Sequence, residues 1–600
     1  MPLIIGALLN NGDPHTLHSI DRCIATMQKA TVKETQSIYY QLPIFIMAGK
    51  REGESVADTI IPLGDREGFC IGRLFDKKNG LLCKSLESTF ASQVRKTEGT
   101  WLVESYWGRY ITLLIDAQKE SITIFRDPQG LATIFIADTH EGIFFSSELS
   151  LLYEALSDKL SFDWTYLTSF VANHHRITSH APFKGVTELF PGYGITLSSQ
   201  EKSAPFIVWD PTKLQVFDTN KPYEQVIAQT LSDCITAWTQ ENTTGIGVEL
   251  SGGIDSSAVL TVLKERAPLD CKIVAFNFFH PTIASADERE HAKKVAKLCN
   301  VELECINVSE FLPLTVLPTS KTNKPSCLLL DHSINRETAR RADIHGSLEF
   351  LGGQGGDHIF MASPALESLA DHILTKGITG ISTKAKEISA YYRMPLTQVF
   401  FQTCVSLLRY GVKTINHMPL IKIAPWMTPT FKEKIDKTIF KVPFWSKLRT
   451  CAPGKAQQIM YVYQAALYID RGHRIESRSV VNPLLSQPLV ELALSIPTYD
   501  LYGQGYDRIP FRLALEQFKK NDYMWRKSKG DTTGVLMLGL QTHFEKVCTI
   551  ALEGAFAQEN LIDKDLLYKH IKEMRHGKMR DLWPLINLLS AELWINTWKN

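Results

Sequence analysis

One seven-residue string constrains this chain more than any other: Ser251-Gly252-Gly253-Ile254-Asp255-Ser256-Ser257, set between the apolar run 246–250 and a helical pattern that begins at Ser256. Strand, paired glycines and helix in that order describe a loop whose backbone N–H groups and hydroxyls converge on phosphate oxygens, backed by the partial positive charge of a helix N-terminus. Two glycines alone would fit any strand-to-helix turn, but the complete string in this context points to a nucleotide. It is not a Walker A element, because no Gly-Lys in the sequence is followed by Ser or Thr. Without that lysine, cleavage at the γ-phosphate is disfavoured.

The rhythm around the string extends the expectation. Residues 272–278 read as a strand followed by a charged helix over 286–298, and 348–351 read as another strand leading toward Ile359, so a parallel, doubly wound sheet is predicted. From about Pro364 onward amphipathic patterns dominate, as in 457–469, and predict helices that cover the sheet. Upstream, 111–116, 121–126 and 131–137 are β-branched and aromatic between polar breaks, which predicts a sheet-rich α+β N-terminal half. The polar, Pro-interrupted stretch 202–222 reads as a linker. The expected division is 1–215 and 216–600, two domains being the prior for a chain of 600 residues.

Composition excludes more than it names. A net charge of +1 gives no global attraction to nucleic acid or anionic membrane, and no stretch approaches the ~20 apolar residues of a membrane span. The 11 cysteines lack any Cys-x-x-Cys pair, which fits reduced thiols and a cytoplasmic setting.

A second cluster, Gly353-Gln354-Gly355-Gly356-Asp357-His358, follows the run 348–351 and would bring Asp357 to the same sheet edge as Asp255. Alone, Asp357 is an ordinary turn aspartate. Paired with Asp255 it could hold Mg²⁺, which accepts a few carboxylate oxygens together with waters and substrate phosphates.

The Ser-Gly-Gly-x-Asp-Ser string resembles the pyrophosphate-holding loop of ATP pyrophosphatases, asparagine synthetases among them. That resemblance implies attack on the α-phosphate of ATP, with pyrophosphate leaving and an acyl-adenylate remaining. It extends along the chain: Arg126-Asp127-Pro128-Gln129-Gly130 and Phe144-Phe145-Ser146-Ser147-Glu148-Leu149 look like the family's glutaminase-like (Ntn-type) domain, and Ile475-Glu476-Ser477-Arg478 through Asn482-Pro483-Leu484 look like its synthetase segment. Glutamine-using members need cysteine directly after the initiator Met. Here that position is Pro2 and the nearest cysteine is Cys23, so the expectation is a degenerate glutaminase-like domain without amide hydrolysis. Where the resemblance implies glutamate in asparagine synthetases and tyrosine in β-lactam synthetases, this chain has Gln354, whose neutral amide could hydrogen-bond a substrate but not act as a base.

Among cysteine-less relatives, Trp107-Gly108-Arg109-Tyr110, Asp287-Glu288-Arg289, Asp507-Arg508-Ile509-Pro510-Phe511-Arg512 and Arg526-Lys527-Ser528-Lys529-Gly530-Asp531 resemble the lasso-peptide cyclases. The resemblance implies ATP and Mg²⁺ as cofactors, a precursor peptide as substrate, and a leader peptidase and leader-binding protein as partners. It favours Lys529 over Lys527 for stabilising charge at the α-phosphate, and it implies backbone contacts to adenine from Phe276 and Asn277. Glu476, with Arg478 nearby, could orient or deprotonate the attacking amine, or could simply form a helix-face ion pair. Arg508 and Arg512, one helical turn apart, could face phosphates or solvent. His174 and His175 point in different directions on any regular element and read as structural.

Three other readings stay open. One is a β-lactam synthetase or ammonia-dependent asparagine synthetase, against which Gln354 counts. Another is a silent peptide-binding scaffold, against which a magnesium-binding pair counts. The last is tRNA thiolation, for which no basic patch, cysteine nucleophile or RNA-binding module is recognisable.

Overall fold

Strand Leu3–Leu9 shows how the N-terminal half is layered. Successive side chains of a strand face opposite ways, so one buried on both faces must lie between two apolar layers. Ile4 and Leu8 join the core made with a second sheet, whereas Leu3, Ile5, Ala7 and Leu9 pack toward the helices Thr16–Ala30 and Leu149–Leu156. The computed structural model describes the chain apart from residues 11–15, 34–35, 52–53, 56, 157–159, 174–176, 199–201, 215–220, 243–244, 269, 364–365, 412–420, 437–441, 469–478, 520–521, 528, 579 and 600. His174, His175, Ser528, the tetrapeptide from Ile475 to Arg478, Glu476 included, and the expected boundary at 215 therefore lie outside the described residues.

Both N-terminal sheets are six-stranded and antiparallel. The expected strand over 131–137 starts later, as Phe135–Thr139, because the buried Asp127 carboxylate accepts from the N–H groups of Gln129 (3.1 Å), Leu131 (3.0 Å) and Ala132 (2.8 Å) and wraps that segment into a turn. The stretch read as a linker contains an edge strand, Phe206–Ile207, and docks onto the second half through Trp209 Nε1, which donates to Glu491 (2.9 Å).

The second half holds the predicted parallel sheet. Its five strands lie in the order Glu302–Asn307, Lys272–Phe279, Gly245–Glu249, Ser347–Leu351, Ser479–Val481, all parallel. Helices Ile254–Arg266 and Arg289–Cys299 cover one face, and His332–His345 packs on the other with Val274, Phe276 and Phe350. The helix expected over 286–298 begins at Arg289: Ala284–Ala286 is a 3₁₀ turn and Asp287 is extended, gripping Arg289 by paired bonds of 2.8 and 2.6 Å. The helix expected over 457–469 is Pro453–Ala465, proline supplying its first turn. Among the described residues no helix is long and apolar enough to cross a membrane.

The two halves share buried surface. Phe75 and Trp107 of the N-terminal half meet Trp238 of helix Tyr223–Thr239 at ring distances of 5.0 and 5.8 Å. Beside them, fully buried Arg73 pairs with Asp58 (3.1 Å) and reaches across to Glu349 of strand Ser347–Leu351.

Candidate active site

The first strand of the parallel sheet is central, with its neighbours entering from opposite sides. Chains leaving its C-terminal end and that of Ser347–Leu351 therefore diverge and leave a crevice, the place where doubly wound sheets hold ligands. Both glycine loops open there. Gly253 caps helix Ile254–Arg266, and Gly252 has φ +79°. A Cβ on Gly252 would come within 2.7 Å of the Ala292 nitrogen, and one on Gly353 within 2.5 Å of the Ser256 nitrogen. Glycine is thus required for the loops to touch each other and the next helix.

Within the first loop, Ser251 Oγ lies 3.1 Å from Ser256 Oγ and accepts from the Gly253 N–H at 3.2 Å, while Ser256 Oγ accepts from the Ser251 N–H at 3.2 Å. Ser257 is fully buried in the helix's first turn. Asn277 Nδ2 donates to the Leu250 carbonyl (2.8 Å), and Leu250 N–H donates to the Phe276 carbonyl (2.8 Å). Both thereby fasten the strand end that launches the loop. Gln354 sits half-buried in the second loop.

The two aspartates meet through a cation that sequence reasoning had placed on a helix face. Arg508 Nη1 donates to Asp255 Oδ1 and Oδ2 (2.9 and 3.0 Å) and to Asp357 Oδ1. Arg508 is itself buried, with φ +51°, so it precedes helix Ile509–Glu516 and projects inward rather than stacking above Arg512. Arg512 is buried rather than solvated: it grips the Asp507 carboxylate (2.5 Å) and carbonyl (2.7 Å). Lys529 Nζ donates to the second oxygen of Asp357 while its side chain stays 73% exposed, whereas Lys527 Nζ lies 4.4 Å over the Tyr506 ring. Only sequence neighbourhood to known motifs could have signalled Arg508.

Burial and the neighbouring Asp357 carboxylate push the Asp255 pKa up against the pull of Arg508. Asp357 is also desolvated, yet Arg508 and Lys529 hold it below the usual carboxylate range. Two carboxylates that already bracket a guanidinium are a donor set suited to a hard cation, so Asp255 and Asp357 fit Mg²⁺, with phosphate oxygens and water completing its shell. Among the described residues no group of three or more His, Cys, Asp or Glu side chains gathers as a metal site.

The N-terminal half offers no comparable chemistry at Cys23, the cysteine nearest its start. Cys23 is fully buried in helix Thr16–Ala30, and burial pushes its thiol to about 12. Such a thiol is neither ionised nor accessible at neutral pH.

Residues 91–207 match the glutamine amidotransferase domain and residues 227–596 match asparagine synthase. Microcin J25-processing protein McjC of Escherichia coli is 21% identical over 295 residues, 48% of this chain and 49% of that protein. Asparagine synthetase [glutamine-hydrolyzing] 2 of Bacillus subtilis (strain 168) is 22% identical over 189 residues, 29% of this chain and 24% of that protein. The chain thus spans about half the length of the first relative and a quarter of the second. The B. subtilis glutamine phosphoribosylpyrophosphate amidotransferase complexed with ADP and GMP aligns at 10% identity over 61% of this chain and 83% of that one, with a TM-score of 0.22, too low to decide anything. With an asparagine synthase match that runs through more than half of its residues, and with the α/β architecture to go with it, the chain belongs to the asparagine synthase family.

Proposed function

We propose that this member of the asparagine synthase family is a lasso-peptide cyclase, an ATP-dependent ligase that closes a precursor peptide into a macrolactam. The observation that carries the ligase reading is the cluster Asp255–Arg508–Asp357–Lys529 at the mouth of the two glycine loops. The similarity to McjC supports the peptide substrate; the proposal carries with it a leader peptidase and leader-binding protein as partners and a cytoplasmic setting.

In the proposed reaction an Asp or Glu carboxylate oxygen of the peptide attacks the α-phosphorus of ATP. The bond to the β-phosphate oxygen breaks, and pyrophosphate leaves. The peptide's N-terminal amine then attacks the acyl carbon, loses a proton, and AMP departs with the electrons of the acyl–oxygen bond. Loop residues 251–253 offer N–H groups and hydroxyls to the phosphates, backed by the dipole of helix Ile254–Arg266. Asp255 and Asp357 would hold Mg²⁺, which would supply positive charge to the leaving pyrophosphate. Arg508, which bridges the two aspartates, is the buried cation that would offer its guanidinium to the phosphates. Lys529, which donates to Asp357, is the candidate to stabilise charge at the α-phosphate and the tetrahedral carbon. Gln354 is the candidate to hydrogen-bond the peptide near the acyl group, and Glu476 is the candidate base. Holding amine and acyl carbon together is worth about 7–11 kcal/mol in favourable intramolecular cases.

Mass spectrometry of a lasso precursor incubated with its leader peptidase, this protein, ATP and Mg²⁺ tests the proposal. The expected product has lost one water, with AMP formed in equal amount. AMP formation without a change in peptide mass would retain the ligase and reject the substrate; no AMP from an authentic precursor would reject the cyclase, and no AMP from aspartate plus ammonia as well would sink the ligase. The similarity to the B. subtilis asparagine synthetase keeps aspartate plus ammonia as a second reading, which the same AMP assay addresses.

A further inference from the structure

Lys529 stands on a loop and is 73% exposed, so something other than its own packing must fix its reach. The loop's anchorage converges on Glu288, the residue that opens helix Arg289–Cys299. One oxygen, Glu288 Oε1, accepts from Arg526 Nη2 at 2.5 Å and from the Gly530 N–H at 2.9 Å, on either side of Lys529 in the chain. Gly530 is pressed so close that a Cβ there would sit 2.6 Å from Glu288 Oε2. Ser285 extends the seam: its carbonyl accepts from the Asp531 N–H at 2.8 Å, and its hydroxyl donates to the Asp531 carbonyl at 3.2 Å.

The same helix start also abuts the nucleotide loop. A Cβ on Gly252 would strike Ala292 and His291, and Arg526 Nη1 reaches the Gly252 carbonyl at 3.4 Å. The Glu288 side chain is only 16% exposed and Arg526 only 11%, so their charge-assisted bond is shielded from water and strong for its kind. Resting on the ligase reading above, we propose that Glu288 is a positioning residue for Lys529: it clamps both flanks of the lysine and sets its height over Asp357, while Arg526 ties that setting to the nucleotide loop.

The first test needs no substrate. In Glu288→Ala, hydrogen–deuterium exchange of the segment 526–532 is expected to rise at least about tenfold while helix Ile254–Arg266 keeps its protection; unchanged exchange at 526–532 overturns the clamp. The second is a double-mutant cycle on the AMP-forming rate at saturating ATP. Glu288→Ala alone is expected to lower kcat about 10–100-fold with KM for ATP nearly unchanged, since small displacements of a catalytic group cost that much. In a Lys529→Ala background the same change is expected to cost almost nothing, because its effect passes through the lysine. Losses that multiply, or that appear in KM alone, overturn the proposal. Glu288→Gln, which keeps an acceptor for the Gly530 N–H, is expected to recover part of the rate. If the unmodified protein forms no AMP, the ligase reading fails by itself, and the exchange experiment still decides whether Glu288 holds the loop.

Discussion

Arg73 and Arg508 each lie between carboxylates, and they do opposite work. Arg73 is sealed, its side chain 0% exposed and Asp58 and Glu349 0 and 6%. Arg508 is also buried, but its partners Asp255 and Asp357 are 15 and 27% exposed, and Asp357 carries a second cation, Lys529, that is mostly in water. Shut off from water, the Arg73 pair cannot trade its partners for solvent or ligand, so it holds one arrangement between the halves. A pair at a crevice mouth can exchange partners, as the proposed Mg²⁺ and phosphates would require. Burial of the arginine is common to both; access to its carboxylates separates a fastening from a site.

The largest expected effect breaks the open cluster. Asp255→Asn is expected to lower the AMP-forming rate at least about 10³-fold, about 4 kcal/mol of barrier, with secondary structure by circular dichroism unchanged. A rate within tenfold of the parent would remove the aspartate pair from the chemistry. Breaking the sealed cluster should act on folding instead. Arg73→Met leaves Glu349 without its buried cation, while Asp58 keeps Arg109 at 2.9 Å, and is expected to cost about 3 kcal/mol in urea unfolding.

Asp371 sharpens the contrast, being a buried carboxylate held by hydrogen bonds rather than an ion-paired side chain. It accepts from the N–H groups of Gly454 (2.7 Å) and Lys455 (2.8 Å) and from Thr498 Oγ1 (2.7 Å), yet burial raises it from 3.8 to about 6. A carboxyl raised on folding binds its proton more tightly in the native state. Its contribution to stability is therefore full below about pH 3.8 and is lost as pH rises toward about 6, by up to about 3 kcal/mol. Asp371→Asn should flatten that part of the stability profile; a profile parallel to the parent's between pH 4 and 6 would contradict the assignment. The smallest effect belongs to the exposed end of the open cluster. Lys529→Ala is expected to change unfolding free energy by less than about 0.5 kcal/mol, since a surface lysine gives up little when removed.

The fold class was legible because its signals are local: the strand, glycine loop and helix around Ser251, and the alternation that follows it, span few residues each. That Asp255 and Asp357 share one crevice was also readable, from two glycine loops each following an apolar strand. Arg508 was not, because its inward course depends on a left-handed residue before a helix and on packing that joins positions 253 apart in sequence. Arg73 and Glu349, 276 apart, gave no sign of each other for the same reason. Asp287-Glu288-Arg289 is visible in the sequence as a string, but its place under the Lys529 loop follows only from tertiary contact. The segment holding Glu476 lies outside the described residues, so the candidate base stays as the sequence presented it.

The parallel sheet's order has a consequence for synthesis. Asp255, Asp357, Arg508 and Lys529 come from stretches that leave the ribosome one after another, the last more than two hundred residues behind the first. A nascent chain can therefore carry the whole glycine loop and still be unable to assemble the charge cluster around it. Such distant contacts form late, after the loop-closure entropy has been met. If the proposed chemistry holds, ATP turnover is withheld from every unfinished copy, and a protein truncated before residue 526 would bind phosphate at most without spending it.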